Sequence, residues 1–117
     1  MRNRQTVIRT FATVVTAGLA LGIAAGAKAA DEEAARALAR QSNCFKCHSV
    51  EKKKEAPPWK EVAAKYKGKP EAEAKLIHHI TSGEKVKFED GHEEEHKIVA
   101  SKDPAQIKNL VDWILSL

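Results

Sequence analysis

The sequence predicts a small all-α domain, and three observations support this fold class. Apolar residues recur at helical spacing in four separate stretches of the 117-residue chain. Asp, Pro and Gly residues mark the ends of these stretches, as helix caps and stops require. No strand pattern flanks the two cysteines, which argues against the βαβ setting of a redox disulfide. The four stretches therefore predict four helices joined by loops.

The first predicted helix begins at Asp31, whose carboxylate can accept hydrogen bonds from the first turn. Glu32 and Glu33 follow, where the helix dipole favours negative charge. Small residues then form a narrow stripe that lets another helix approach closely: Ala34, Ala35, Leu38 and Ala39. We expect the helix to end at Ser42-Asn43.

A loop and a short helix are predicted next. Three lysines and Ala56-Pro57-Pro58 disfavour helix, so residues 49–58 are expected to form a loop. Residues 59–66 are expected to be helical, because Trp59, Val62, Ala63 and Tyr66 recur at helical spacing. Gly68-Lys69-Pro70 then ends this helix.

A third helix is predicted over residues 71–81, with Gly83 as its stop. Its apolar face is formed by Ala72, Leu76 and Ile80. Residues 84–100 are polar and irregular, and one helical turn around Glu93 is expected there.

The last helix has the clearest pattern. Asp103 is its predicted cap and Pro104 its first residue, a position where proline is favoured. Its apolar stripe consists of Ile107, Leu110, Val111, Ile114 and Leu117. We expect this stripe to pack on the alanine-rich first helix, with Trp113 as a large packing residue nearby.

The first 29 residues have the pattern of a secretory signal peptide. Arg2, Arg4 and Arg9 precede a short apolar run over residues 14–25, and Ala27-Lys28-Ala29 supplies a cleavage site. The run is too short to span a bilayer comfortably. We therefore expect residues 1–29 to be removed on export to the periplasm, leaving residues 30–117 as one domain without a membrane span.

The charge balance argues against a nucleic-acid partner. Residues 30–117 carry 16 Lys and Arg against 16 Asp and Glu, whereas nucleic-acid binding favours a large basic excess. Charges are nevertheless segregated into Lys52-Lys53-Lys54 and Glu93-Glu94-Glu95. These runs are expected to be solvated loops, and opposed patches of this kind can also steer redox partners.

The most informative motif is Cys44-Phe45-Lys46-Cys47-His48, a C-x-x-C-H run behind an export signal. It indicates attachment of a c-type haem. Two closely spaced thiols can bond the vinyl groups at one edge of the porphyrin, while the adjacent imidazole binds the iron. The motif therefore predicts one covalent haem c, held by Cys44 and Cys47 with His48 as the proximal iron ligand.

The whole of residues 30–117 resembles the small bacterial class I cytochromes c. The resemblance rests on the N-terminal helix, on Asn43-Cys-Phe-Lys-Cys-His48 and the proline after it, and on Trp59-Lys-Glu-Val-Ala-Ala-Lys-Tyr66. Glu71-Ala-Glu-Ala-Lys-Leu76 and Leu110-Val-Asp-Trp-Ile-Leu-Ser-Leu117 continue it. It implies helices wrapped around one haem, with the first and last helices packed together. It also implies that the Pro57 carbonyl accepts the Nδ1 proton of His48 and thereby orients the imidazole.

One feature departs from the family pattern. The family carries an axial methionine in the loop before the last helix, but the only methionine here is Met1. The corresponding loop, residues 90–99, contains two histidines instead. By position, His96 is the expected distal iron ligand, with His92 as the alternative and Lys97 as a remote third choice, because an amine must first lose its proton. His78 and His79, on the third helix, are not expected to bind the iron.

Other interpretations of these histidines remain open from sequence alone. His92-Glu-Glu-Glu-His96 matches the H-E-x-x-H pattern of zinc proteases, although it lies in a charged loop rather than on a long helix. C-x-x-C with H-x-x-x-H could supply four zinc ligands, but 44 residues separate the two pairs, far beyond finger spacing. Both loop histidines could also be solvated, which would leave the iron five-coordinate.

The predicted function is a periplasmic monohaem electron carrier, and no independent catalytic constellation indicates an enzyme. Ligation by two histidines implies a lower potential than in His/Met relatives, because imidazole stabilises ferric iron more than thioether does. Two alternatives stay open. A haem with an open distal site would be a gas sensor or ligand binder, and a chain bound to a larger periplasmic oxidoreductase would be its cytochrome subunit. Redox proteins of the periplasm are the expected partners, with the chain itself a monomer or part of a complex.

Overall fold

A computed structural model describes residue 18 and residues 29–117 of the chain. The expected signal segment, residues 1–29, lies outside the described residues except for Gly18 and Ala29. Within the described part, the chain forms four α-helices, one 3₁₀ turn and a short β-hairpin. In chain order these are α1 (Glu32–Gln41), the 3₁₀ turn (Cys44–Lys46), α2 (Trp59–Tyr66), α3 (Ala72–Thr81), β1 (Lys85–Lys87), β2 (Glu93–Glu95) and α4 (Pro104–Leu115).

The two terminal helices begin as their cap residues predict. The Asp31 carboxylate accepts a hydrogen bond from the Ala34 N–H at 3.0 Å, and Asp103 accepts one from the Ala105 N–H at 2.9 Å. Helices α1 and α4 are joined by Asn109, whose side chain binds both the N–H of Asp31, at 2.8 Å, and its carbonyl, at 2.9 Å. This bidentate contact fixes the start of α1 against the middle of α4.

A single cluster of buried side chains lies between the helices. Along α1 the buried residues are Ala35, Leu38 and Ala39, whereas Ala34 is exposed and does not belong to the expected stripe. Helix α4 buries Ile107, Leu110, Val111, Trp113 and Ile114. Residues from α2, α3 and the segment before α4 complete the core: Trp59, Leu76 and Val99. The expected packing of the first helix on the last is confirmed.

The expected helical turn around Glu93 is wrong, because this segment is extended. Strands β1 and β2 pair antiparallel, with Val86 opposite Glu94. A turn closes the hairpin at Gly91, whose φ of +92° is a conformation that glycine adopts without strain. The alternation of polar and apolar residues over Lys85-Val86-Lys87-Phe88 was the sequence signal for this strand.

Each helix in the described part of the chain is too short or too polar to cross a lipid bilayer. The helices instead surround a cavity, which residues of α2, α3 and α4 line. Cys44 of the 3₁₀ turn and His96 of the segment after β2 also line it.

Candidate functional site

The C-x-x-C-H motif forms a tight turn directly after α1. Asn43 ends the helix in the left-handed conformation, with φ of +58°, which asparagine tolerates better than most residues. The chain then folds back, so that the N–H groups of Cys47 and His48 donate to the carbonyl of Cys44 at 3.3 and 3.0 Å. This local turn places two thiols and one imidazole within five consecutive residues.

The His48 ring is held by a hydrogen bond at its edge and by an aromatic ring stacked on its face. Its Nδ1 lies 3.0 Å from the carbonyl oxygen of Pro57, to which it donates its proton. The Trp59 ring stacks on it, with 5.5 Å between centroids and 26° between planes. Burial lowers the pKa of His48, so the ring is neutral at neutral pH, the form that binds metals. Because Nδ1 is engaged, Nε2 is the nitrogen that can bind a metal.

The two thiols are half-buried and not joined in a disulfide. Burial raises the pKa of Cys44 to about 11. Without a metal ion beside it, this thiol therefore stays protonated at neutral pH. Cys44 also lines the cavity, which places one sulfur at its edge.

The cavity itself has a volume of about 800 Å³, which lies within the 300–1,000 Å³ typical of cofactor and ligand sites. Its walls are mainly apolar and include Val62, Tyr66, Leu76, Ile80, Leu110, Val111 and Ile114. Charged side chains also line it, among them Glu61, Lys65, Glu71, Lys75 and Glu84. We call the part of the site at His48 and Cys44 the proximal side, and the part at His96 and His79 the distal side. Mainly apolar walls with a thiol and imidazoles among the lining groups suit a covalently bound porphyrin.

His96 faces His48 across this cavity, with 6.2 Å between ring centroids and 57° between ring planes. A histidine nitrogen binds a metal at about 2.0–2.1 Å, and an imidazole ring has a radius of about 1.1 Å, from bonds of about 1.33 Å. Two imidazoles on opposite sides of one metal ion are therefore about 6.2–6.4 Å apart. The observed separation fits one iron ion between His48 and His96.

The backbone around His96 is anchored at three points on other elements. The His96 N–H donates to the Glu84 carbonyl at 2.9 Å, which closes the base of the hairpin. The Val99 N–H donates to the Ile80 carbonyl at 2.9 Å, and the Ala100 N–H donates to the hydroxyl of buried Ser42 at 2.9 Å. The segment after β2 is thus fixed once to the residue before β1, once to α3 and once to the end of α1.

The His96 ring has one orienting hydrogen bond of its own. Nδ1 lies 2.9 Å from the carbonyl oxygen of Lys97 and donates to it, so Nε2 is the nitrogen that can bind a metal. Burial, followed by the nearby His79, lowers the pKa of His96. Like His48, it is therefore neutral at neutral pH.

His92, the alternative ligand, lies away from the cavity at the tip of the hairpin. It hydrogen-bonds Asp90 and stacks on Phe88 with 4.2 Å between ring centroids. Its side chain is 46% exposed. The remote third choice, Lys97, is exposed as well. The structure thus brings His96, and not His92, into the cavity with His48.

The zinc interpretations fit this geometry poorly. The H-E-x-x-H string runs along a strand rather than a helix, and its first histidine belongs to the hairpin tip. Within residues 29–117 the structure assembles no group of three or more His, Cys, Asp or Glu side chains able to hold a metal ion.

Comparison with known proteins decides the family. The sequence model of the Cytochrome c family matches residues 32–117. The chain belongs to the cytochrome c family. Cytochrome c-551 of Pseudomonas aeruginosa is 35% identical over 94 residues, covering 80% of this chain and 84% of that protein. Cytochrome c-552 of Nitrosomonas europaea is 39% identical over 80 residues, covering 68% of this chain and 75% of that protein.

Solved structures show the same fold. The class 1 cytochrome MtoD from Sideroxydans lithotrophicus ES-1 is 66% identical, covers 75% of this chain and 97% of its own, and superposes with a TM-score of 0.72. Wild-type Nitrosomonas europaea cytochrome c552 is 34% identical, covers 70% of this chain and 98% of its own, and has a TM-score of 0.57. The predicted all-α class I cytochrome c fold is confirmed.

Family membership brings one covalent haem c and the role of an electron carrier rather than an enzyme. Cys44 and Cys47 have the spacing that covalent attachment requires. Sequence reasoning missed the groups that shape the distal side, namely Ser42, Glu84 and the carbonyl of Ile80. No local pattern could have shown them, since each acts on a residue far along the chain.

Proposed function

We propose that this cytochrome c is a bis-histidine electron carrier, with His48 as the proximal ligand of its haem iron and His96 as the distal ligand. The observation that carries the proposal is the 6.2 Å separation of two imidazoles across one apolar cavity. A second support comes from composition, because Met1 is the only methionine and it lies in the expected signal segment.

Neighbouring groups set the tautomer and the protonation state of both proposed ligands. Pro57 and Lys97 each accept an Nδ1 proton through a backbone carbonyl, which fixes the tautomer of His48 and His96 respectively. Burial lowers the pKa of both rings and so keeps them neutral, and apolar side chains of α2, α3 and α4 line the cavity around them. When bound, the haem supplies reversible one-electron exchange. With both axial positions filled by the protein, small molecules have no open iron site.

Replacing thioether by imidazole sets the expected potential. Methionine as an axial ligand raises the potential of c-type haems, because thioether favours ferrous iron. Imidazole is the stronger donor to ferric iron, so a potential below that of His/Met relatives follows. Axial ligands contribute to a spread of about 0.8 V among haem proteins, which makes this exchange large enough to select redox partners.

The expected setting is the periplasm. The basic and apolar pattern of residues 1–29 supports export, and covalent haem attachment through two thiols suits an exported protein. The partners would be redox proteins of that compartment. The lysine run Lys52-Lys53-Lys54 lies in the exposed loop after the motif, where a partner can reach it.

The test is the optical spectrum of the holoprotein and of two His96 variants. The native ferric protein should be low-spin, should lack the charge-transfer band of methionine–iron ligation, and should not take up CO when reduced. His96→Ala should become high-spin and bind CO readily. His96→Met should raise the potential by on the order of 0.1 V.

His92→Ala serves as the matched control, because His92 lies on the same hairpin and outside the cavity. Its spectrum and potential should equal those of the native protein. A native protein that binds CO, or a His96→Ala variant with unchanged spectrum and potential, would contradict the proposal. CO binding by the native protein would favour a ligand-binding or sensing role instead.

A further inference from the structure

We propose that His79 is a positioning residue for the distal ligand, held in place by Glu84 and packed against the ring of His96. This inference rests on the proposed ligation by His96. The His79 and His96 rings are 4.1 Å apart between centroids, with 44° between their planes. The His79 side chain is only 32% exposed, and it lines the cavity beside His96.

Glu84 connects the two histidines through different groups. Its carboxylate accepts a hydrogen bond from Nδ1 of His79 at 2.5 Å. Its backbone carbonyl accepts the His96 N–H at 2.9 Å. One residue therefore fixes both the main chain that carries His96 and the side chain that packs against its ring.

The turn before Glu84 strengthens this connection. Gly83 has a φ of +67°, which an L side chain rarely adopts, and a Cβ at this position would lie 3.3 Å from the Ile98 side chain. The end of α3 thus packs closely on the segment that follows His96. Small shifts of one segment relative to the other are resisted by this packing.

His96 needs such a support because the long-range hydrogen bonds of its segment hold the backbone and not the ring. Its ring is oriented by a hydrogen bond to the adjacent residue, Lys97, and it lies on an irregular segment between β2 and α4. Side chains presented by helices are held more precisely than those on loops. His79 belongs to the last turn of α3, so a helical side chain supports the His96 ring.

Two measurements on purified ferric holoprotein test this role. Cyanide can bind the iron only after the distal imidazole leaves, so its association rate reports how firmly His96 is held. The low-spin EPR spectrum reports the relative orientation of the two axial imidazole planes. His79→Ala should bind cyanide about tenfold faster, the lower end of what losing an orienting partner costs a metal site, and its EPR g values should shift while the iron stays low-spin.

Variants at Glu84 test the hydrogen bond while leaving both histidines in place, although Glu84 also lines the cavity. Glu84→Gln retains an oxygen that can accept the Nδ1 proton of His79, and it should keep the native cyanide rate. Glu84→Leu removes the acceptor and should increase the rate, in the same direction as His79→Ala. Glu84 is 42% exposed, so neither change disturbs the core. The control is His92→Ala, because His92 lies at the hairpin tip and does not line the cavity. His78 is less suitable, since it lines the cavity and its Nε2 lies 3.5 Å from the Glu84 carboxylate.

Several outcomes would overturn the inference. A native cyanide rate and EPR spectrum in His79→Ala would show that the packing does nothing for His96. Equal cyanide association rates for Glu84→Gln and Glu84→Leu would show that the hydrogen bond between Glu84 and His79 does not help to hold His96. A high-spin His79→Ala protein would make His79 itself a ligand. Failure of the proposed function is distinguished by His96→Ala, because an unchanged spectrum there rejects the ligand assignment whatever His79 does.

Discussion

The proximal side of the cavity is built from neighbours in sequence, whereas the distal side is built from residues far apart. His48 is positioned by the turn at Cys44, the carbonyl of Pro57 and the ring of Trp59, all within residues 44–59. The segment after His96 depends on Ser42, which is 58 residues away from its partner Ala100. Local contacts form with little loss of chain entropy, while distant ones require the rest of the fold to be in place.

Because of this difference, the two sides are expected to form at different stages of folding and to affect different properties of the protein. The proximal turn can take up its shape as soon as the chain is made, which suits a segment that must meet a cofactor for covalent attachment. The distal segment needs α1, α3 and the hairpin to be assembled before its backbone hydrogen bonds can form. Perturbations on the proximal side should therefore act on stability, and those on the distal side should act mainly on how firmly His96 is held.

The largest expected effect is the unfolding of the chain when no haem is attached. Neither the proximal nor the distal side of the cavity would then be formed. In Cys44→Ser/Cys47→Ser apoprotein the cavity of about 800 Å³ has no covalent occupant. Leaving only a quarter of it unfilled costs about 5 kcal/mol at roughly 24 cal/mol per Å³, comparable with the total stability of about 5–15 kcal/mol typical of a domain. Far-UV circular dichroism should show a largely unfolded chain.

The holoprotein is the reference for this experiment, measured in the same buffer and at the same concentration. A cooperative, native-like melt of the apoprotein would contradict the prediction. It would mean that the helices collapse onto the cavity and fill it themselves.

On the proximal side, Trp59→Ala should lower the free energy of unfolding by about 3–5 kcal/mol, the usual cost of removing a buried aromatic side chain. Trp59 is 4% exposed and contacts three rings, those of Phe45, His48 and Trp113. Denaturant unfolding followed by circular dichroism measures the loss.

Ile98→Ala gives the reference for truncating an exposed apolar side chain. Ile98 is 59% exposed, so its truncation should change stability by no more than about 0.5 kcal/mol. Equal losses in the two variants would mean that the burial of Trp59 contributes nothing to the stability of the fold.

On the distal side, Ser42→Ala should cost about 1 kcal/mol, because it removes one hydrogen bond to the Ala100 N–H. The sharper consequence is kinetic, since cyanide should bind the ferric protein faster once this anchor is lost. Ser116→Ala provides the control, because its hydroxyl donates only within α4, to the Trp113 carbonyl. A folded Ser42→Ala protein that binds cyanide at the native rate would show that the hydrogen bond from Ala100 to Ser42 does not affect how firmly His96 is held.

The smallest expected effect lies at the hairpin tip. A hydrogen bond to Asp90, aided by Glu94, raises the pKa of His92 above its ordinary value of 6.5. The protonated form is the one stabilised by folding, so this contribution is fully present below pH about 6.5 and is lost as the pH rises through the raised folded pKa. Asp90→Asn should lower the His92 pKa, measured by NMR titration, and leave the haem spectrum unchanged.

A haem spectrum that changed with Asp90→Asn would contradict the separation of the hairpin tip from the iron site. The same titration in the native protein also tests the position of His92. An iron-bound imidazole would not titrate in this range at all.

The helix boundaries could be predicted well from the sequence because their signals are local. The caps at Asp31 and Asp103, the stop at Gly83 and the cysteine motif each act on residues a few positions away. The hairpin was missed because its strands are three residues long and its second strand consists of three glutamates. Register in such a pair depends on a partner strand, not on intrinsic preference, and the role of Glu84 follows only from that register.

The register of the short hairpin affects which side chain faces the cavity. Side chains on a strand alternate between faces, so shifting β2 by one residue against β1 would turn Glu95 or Lys97 toward the place now held by the His96 ring. The number of residues in the turn around Gly91 therefore determines which side chain of this segment points into the cavity. Lengthening or shortening that turn by a single residue would exchange an imidazole for a carboxylate or an amine without altering any residue near the iron.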